Sequence, residues 1–588
     1  MEDRNPKSKA IEGESTRFVW SLLIVTTVVG AFLILLLASG SEVAAPRAAG
    51  KLDRLLDEAL VAQRDDSLRV IVRTRPGTLI RTTDAVEQSG FVVHEEFPFI
   101  DAFTTTVPLT MLARLGDYPD VLSVSADAVV EKDWAKKAQG NGKAKRAKAT
   151  SSTSTSSTDP APTDATAEPK EGSHLHNTLG IDDEPWDGRD IHVAVLDSGI
   201  HESVDGTGRR GQYDFTGGQS RYRSQPEDPY GHGTHVAGLV AAPSQETGGL
   251  FRGLAPNAKL YSFQVLDAAG VGYTSDVIRA IQHILTNRKH LWTDIINLSL
   301  GHPILETAAT DPLVQAVEAA VREGIVVVVS AGNYGTNRDT GEVGYAGITS
   351  PGNAPSAITV GALDTRQTDR RDDDTVATFS SRGPTWYDAL AKPDIVAPAT
   401  SLVSNTTWMS SLLLDNPQLQ VETTSVGDTA YISLSGTSMG AAVTTGVVAL
   451  MLEANDSFDM KTRRRRLTPN AVKAILQYTA LPLPGYDTLT QGAGAINADG
   501  AVALAAAIDP TAGSGEWWAG PVSETSTIAG SVLTWGQRFI WGDRFIWGSS
   551  IYYADSTVWG PDTVWGDRFI WGDRFIWGAG TEVLIGVQ

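Results

Sequence analysis

The chain has no cysteine among its 588 residues, which excludes disulfides, thiolate metal sites and cysteine nucleophiles together. Its stability must come from packing or from bound ions. Basic charge is also scarce: 48 Lys and Arg stand against 69 Asp and Glu, a formal net charge of −21. No net basic surface is available to offset phosphate repulsion, so nucleic acid is excluded as the expected partner. Aromatic residues make up only 7% of the chain, and nine of the 15 Trp lie beyond residue 516. The length exceeds one ordinary core, so several domains are expected.

What is present is more specific. Three short words occur in order: VAVLDSGI around Asp197, GHGTHVAG around His232 and SGTSMG around Ser438. Each falls at a break between a strand pattern and a helix pattern. A serine hydroxyl is a poor nucleophile at neutral pH. It needs a base within hydrogen-bond reach, and the base needs a third group to fix its tautomer and stabilise its cation. Asp, His, Ser is one of three unrelated orders in which this arrangement is built. Asp197 closes the apolar run HVAVLD, beyond the carboxyl end of a strand, where open α/β sheets keep functional groups.

Each residue also has a plainer reading. Asp197 alone would be a turn or helix N-cap, and His232, like His235, would be a structural histidine ahead of THVAGLVAA. Ser438 alone would be a cap on GAAVTTGVVALML, a run that reads as a helix buried all round. The three contexts in one order outweigh those readings. A fourth word, GIVVVVSAGN, is a buried strand ending in Asn333, either a turn residue or an amide donor to an oxyanion.

These words resemble the subtilisin-like serine peptidases, the subtilases, over roughly residues 175–510. The resemblance implies that Asp197, His232 and Ser438 form the catalytic triad and that Asn333 lines the oxyanion hole. It implies that Ser299, Leu300 and Gly301 form an edge strand for extended substrate, and that Ser330, Ala331 and Gly332 wall the primary specificity pocket. KPDIVAP, residues 392–398, matches a signature that packs near the nucleophile. The reaction so implied needs no redox cofactor and no catalytic metal. Structural calcium is common in the family, but no compact acidic loop marks a site, and metal ligands stay unassigned. Two features depart from the family pattern. Met439, Gly440, Ala441 and Ala442 follow the serine without the usual proline, and the segment between Pro398 and Ser435 is long, with an apolar tract WMSSLLL.

The expected architecture is an α/β, subtilisin-like parallel sheet with helices on both faces. Strand patterns (HVAVLD, LYSFQVLD, DIINLSL, IVVVVSA, AITVGAL) alternate there with helical ones (TSDVIRAIQHILTNR, PLVQAVEAAVREG). Thr468 and Pro469 suit the cap and first position of a further helix, and the arginines from 463 to 466 read as a solvated loop. Ahead of the sheet, residues 51–131 read as βαββαβ, a small α+β ferredoxin-like order. Within that stretch, DAFTTTVP and LARLGDYPDVLSVSAD resemble the inhibitory propeptide of subtilases.

Residues 18–38 are 21 uncharged, mostly apolar residues, about 30 Å of helix and enough to cross a bilayer core. They read as an uncleaved anchor after a cytoplasmic segment 1–17. Residues 132–174, Lys-rich and then Ser/Thr-rich, have the composition of a disordered linker. The tail 516–588 carries Trp-Gly at 535, 541, 547, 559, 565, 571 and 577 in a WGDRFI repeat of period six. An even period keeps Trp, Asp and Phe on one face of a strand, so a β-rich repeat tail is expected.

The expected whole is a serine endopeptidase made as a membrane-tethered zymogen, its catalytic domain outside the cytoplasm and its mature form released. Its partners are protein or peptide substrates, its own propeptide as inhibitor, and the membrane through 18–38. The competing reading is a surface adhesion or assembly protein that acts through its Trp-Gly repeats. An altered triad residue would have favoured it; all three are intact.

Overall fold

The computed structural model describes residues 50–62, 67–132, 174–182, 184–202, 204, 212–243, 247–337, 342–421, 429–459, 464–465, 467–510 and 522–538. From Lys51 onward these belong to one compact unit. The apolar segment 18–38, almost all of the linker 132–174 and the hexads beyond residue 538 lie outside the described residues.

The described residues begin with α1 (Arg54–Val61), β1 (Ser67–Thr74), α2 (Leu79–Gln88), β2 (Val93–Phe97), β3 (Ala102–Pro108), α3 (Leu109–Gly116) and β4 (Val121–Ala126). The strands form an antiparallel sheet in the order β2–β3–β1–β4. Strand alternation divides its residues between two cores. Val70 and Val72 of β1 meet Leu79 and Val86 of α2 and Leu112 and Leu115 of α3. Ile71, between them, faces the other way and joins a core shared with the rest of the molecule.

The main sheet contains β6 (His192–Asp197), β7 (Gln212–Asp214), β9 (Lys259–Gln264), β11 (Ile295–Leu298), β13 (Val326–Ser330), β15 (Ile358–Asp364) and β17 (Ile395–Pro398). These are parallel in the order β17–β15–β13–β11–β6–β9–β7, while β8 (Arg221–Arg223) and β16 (Thr375–Val376) pair antiparallel with β7 and β15. After β6 the chain builds first to one side and then to the other. The crevice beyond the carboxyl ends of β6 and β11 is therefore the switch point where α/β sheets bind ligands.

Helices cover both faces. On one lie α4 (His232–Ala241), α7 (Thr437–Asn455), α8 (Pro469–Thr479) and α9 (Ala498–Ala506), packed on Val193 and Val195 of β6. On the other lie α5 (Thr274–Thr286) and α6 (Pro312–Arg322), packed on Ala194 and Leu196. Thr468 caps α8 as its sequence suggests, accepting from the Ala471 amide at 3.3 Å. Among the described residues, α7 is the one helix long and apolar enough to cross a membrane, and 89% of it is buried inside the protein. It is the central core helix. Arg464–Arg465, expected in a loop, pairs instead with Phe458–Asp459 in a two-residue ladder.

Two further segments position the site. A short strand β5 (Val129–Lys132) leaves the first sheet and inserts between β10 (Val271–Tyr273) and β12 (Leu300–Pro303), antiparallel to both. Near the end of the described chain, two short strands, Thr525–Ile528 and Ser531–Thr534, form a hairpin that delivers Trp535 into the core.

Candidate active site

Asp197 ends β6 beside the switch point. Its Oδ1 accepts from the Ser198 amide at 2.7 Å, and His232 Nδ1 lies 2.8 and 3.0 Å from its two oxygens. Both side chains are buried. A carboxylate beside Nδ1 accepts a hydrogen bond from the ring N–H, which holds the proton on Nδ1 and leaves Nε2 as the basic nitrogen. That Nε2 is buried and has no hydrogen-bond partner among the described residues.

His232 is the first residue of α4, and a buried carboxylate holds the turn that presents it. Asp228 accepts from the Gly231 amide at 2.7 Å, the Thr234 amide at 2.8 Å and the Thr234 hydroxyl at 2.6 Å. Burial drives its pKa upward against those donors. Gly231 has φ +99°, and a Cβ there would stand 2.6 Å from the Ser410 Cβ, so only glycine fits the entry to the helix. Three residues on, His235 is also buried, with Nε2 at 3.0 Å from the Leu402 carbonyl. Burial and the neighbouring His232 push its pKa down to about 3. It is a neutral structural histidine.

Ser438 is the second residue of α7. Its Oγ donates to the Ser299 carbonyl at 3.2 Å, and the Ser299 hydroxyl donates to the Ser438 carbonyl at 3.0 Å. The carboxylate–imidazole half of the arrangement is thus assembled, while the serine is stitched to the edge segment instead of to Nε2. Such hydrogen bonds commonly close only with substrate in place.

Asn333 lies beyond β13. Its Oδ1 accepts from the amide and hydroxyl of Thr437 at 3.0 and 3.3 Å, which fixes the amide plane beside the start of α7. Its Nδ2 is buried and unpartnered among the described residues. The Ser438 amide sits in the first turn of α7, where N–H groups lack intrahelical acceptors and the helix end is electropositive. Ser330 ends β13, and Ala331 and Gly332 follow it. The Gly332 amide donates to the Thr437 hydroxyl at 3.1 Å, its φ is +101°, and a Cβ there would come within 2.8 Å of the Thr349 methyl.

The edge segment is occupied. Leu300 and Gly301 of β12 pair with Lys132 and Glu131 of β5, while Ser299 immediately precedes them. Sequence reasoning missed β5, Asp228 and Thr437. An Asp four residues ahead of a helix-start His is a capping signal that could have marked Asp228. Four residues of VVEK carry too little pattern to mark a strand. Among the described residues no group of three or more His, Asp or Glu is placed to hold a metal ion.

The doubly wound sheet, the buried carboxylate–imidazole pair and the serine at a helix start define a class, the subtilisin-like serine proteases. The chain matches the Subtilase family over residues 188–502, more than half its length, and it belongs to that family. It is 38% identical to the serine protease AprX of Bacillus subtilis (strain 168) over 325 residues, which cover 54% of this chain and 66% of AprX. It is 34% identical to subtilisin DY of Bacillus licheniformis over 286 residues, 49% of this chain and 85% of that one. Fervidolysin from Fervidobacterium pennivorans shares the fold, with a TM-score of 0.52 at 21% identity over 75% of this chain and 61% of that one.

Proposed function

We propose that the protein is a serine endopeptidase working through Asp197, His232 and Ser438. In this reading Ser438 Oγ attacks the peptide carbonyl as His232 Nε2 takes its proton, and Asp197 stabilises the imidazolium. The oxyanion accepts hydrogen bonds from Asn333 Nδ2 and the Ser438 amide. His232 then protonates the leaving amine, and water hydrolyses the acyl-enzyme by the same steps in reverse. What supports these roles is the pair of buried groups without a partner among the described residues, His232 Nε2 and Asn333 Nδ2, whose chemistry fits a base and an oxyanion donor. Substrates would be extended protein or peptide segments lying along Ser299–Gly301, with Ser330–Gly332 walling the pocket for the side chain at the cut.

The protein is also proposed to be made as a zymogen, with residues 51–131 as inhibitor. One observation carries this: β5 pairs with β12 next to the Ser299–Ser438 contact, where extended substrate would lie. Other contacts hold the inhibitor down. Asp127 accepts from the amide and hydroxyl of Ser275 at 2.8 Å each, at the start of α5, and Glu95 pairs with Arg279. Residues 18–38 would tether this precursor to a membrane, and a cut within 132–174 would free the enzyme.

Ser438→Ala should abolish fluorophosphonate labelling of the full chain and stop its maturation. The loss of turnover should be roughly 10⁴–10⁶-fold, a magnitude that comes from the subtilisin family. Labelling or peptide hydrolysis retained in the variant would refute Ser438 as nucleophile. Complete processing of the variant in a protease-free host would refute self-maturation.

A further inference from the structure

The Trp-Gly repeats have no part in the chemistry above, yet one of them is seated in the catalytic unit. Trp535, almost fully buried, packs beside Gly500 of α9. A Cβ at Gly500 would come within 2.8 Å of the indole. The indole N–H donates to the Ser526 hydroxyl at 3.0 Å, and the Asn497 amide donates to the same oxygen at 3.0 Å. Tyr478 meets the ring edge-on at 6.3 Å. The next residue is read equally closely. The Gly536 amide donates to the Ala480 carbonyl at 2.8 Å, and a Cβ at Gly536 would come within 2.8 Å of the Pro482 ring.

The flanking positions are held differently. The Trp535 and Gln537 amides donate to the Glu524 and Tyr478 carbonyls at 3.0 and 2.9 Å, bonds that any non-proline residue makes. The Thr534 side chain is exposed. The groove therefore selects an indole followed by a residue without a side chain. That dipeptide recurs six more times, at 541, 547, 559, 565, 571 and 577.

We propose that the groove is a Trp-Gly receptor that reads the dipeptide and not its place in the chain, so that each later unit can take the seat of Trp535–Gly536. Loop-closure cost grows only with the logarithm of loop length, so looping out one or several hexads does not forbid the exchange. The tail is then clasped to the catalytic unit in several registers, and the unseated units remain as spare copies of the ligand.

The test uses the full chain in a Ser438→Ala background, which keeps it intact. Trp535→Ala alone should shift Tm by no more than about 2 °C, because a later unit fills the groove. Adding Trp→Ala at the other six positions should lower Tm by roughly 4–6 °C, the scale for an unfilled Trp site in a folded unit this size. The peptide DRFIWGDR, added to that sevenfold variant, should restore most of the loss and bind saturably. The sixfold variant that keeps Trp535 should melt like the parent. If Trp535→Ala alone loses as much as the sevenfold variant, or fails to fold, interchange is refuted. A folded sevenfold variant that ignores the peptide refutes the receptor. A sevenfold variant that fails to fold while Trp535→Ala folds still supports the exchange.

Discussion

One end of the Asn333 amide is fixed by Thr437 and the other has no partner among the described residues, and this asymmetry makes its role testable. A donor aimed at charge that develops only in the transition state adds little to ground-state binding. Asn333→Ala should therefore lower kcat by roughly 10²–10³ with KM nearly unchanged, again a magnitude known from this family. Steady-state kinetics on a peptide ester would check it, and a raised KM at unchanged kcat would contradict the role. The two histidines of GHGTHVAG show how far residue identity goes. Both rings are buried, but only His232 meets a carboxylate, whereas His235 meets a backbone carbonyl. Their different positions relative to the glycines were visible in the sequence. Their partners were not, because Asp197 and Leu402 come from distant segments.

At the scale of elements, the strand and helix patterns from 175 to 510 were legible because parallel strands buried on both faces read as continuous apolar runs. The word KPDIVAP was legible only by resemblance, and its physical basis is tertiary. Asp394, just before β17, accepts from Lys392 at 2.7 Å, Lys473 of α8 at 3.0 Å, Gln477 at 3.1 Å and the Thr359 amide at 2.7 Å. Two buried ammonium groups thus share one carboxylate, and burial pushes the Lys392 pKa down to about 7. Asp394→Asn keeps the shape and removes the only anion among these contacts. It should cost about 3–5 kcal/mol, the scale for breaking a buried ion pair, read as a shift in the urea midpoint at unchanged slope. A cost below about 1 kcal/mol would mean that the lysines discharge instead.

At the scale of the whole molecule, the contact between residues 51–132 and the catalytic part carries crowded carboxyls. Asp53 and Ser125 from one side meet Glu306, Asp311 and His302 from the other around a small cavity. Asp53 accepts backbone amides at 2.8 and 2.6 Å. Asp311 accepts two amides of α6 and the Ser350 hydroxyl. Burial, followed by the Asp311 charge, drives the Glu306 pKa to about 8. Burial raises Asp53 to about 6. The nearby Arg73 donates to the Ala309 carbonyl, and Tyr387 also faces the group.

Separation of the two parts would return Asp53 and Glu306 to water and to pKa values of about 4. The assembled state therefore holds more protons above pH 4. Its extra stability is complete below that pH and is lost as pH rises through 6 and then 8. Fluorophosphonate labelling of the full chain, divided by that of the matured enzyme at each pH, should accelerate from pH 5 to 9. Glu306→Gln should flatten the rise above pH 6 while leaving the lower step of Asp53. An unchanged profile in the variant would sink this account.

The sequence by itself determined the family and the sheet that carries the candidate residues, because strand ends, glycine turns and apolar periodicity are local properties written in short words. Only the tertiary structure decided what lies in the groove beside Ser299, which carboxyls meet across the contact, and that the Trp535–Gly536 unit sits in the core. Each of these pairs segments far apart in the chain. The choice among such pairings rests on shape, burial and charge at the point of contact, which no single segment encodes.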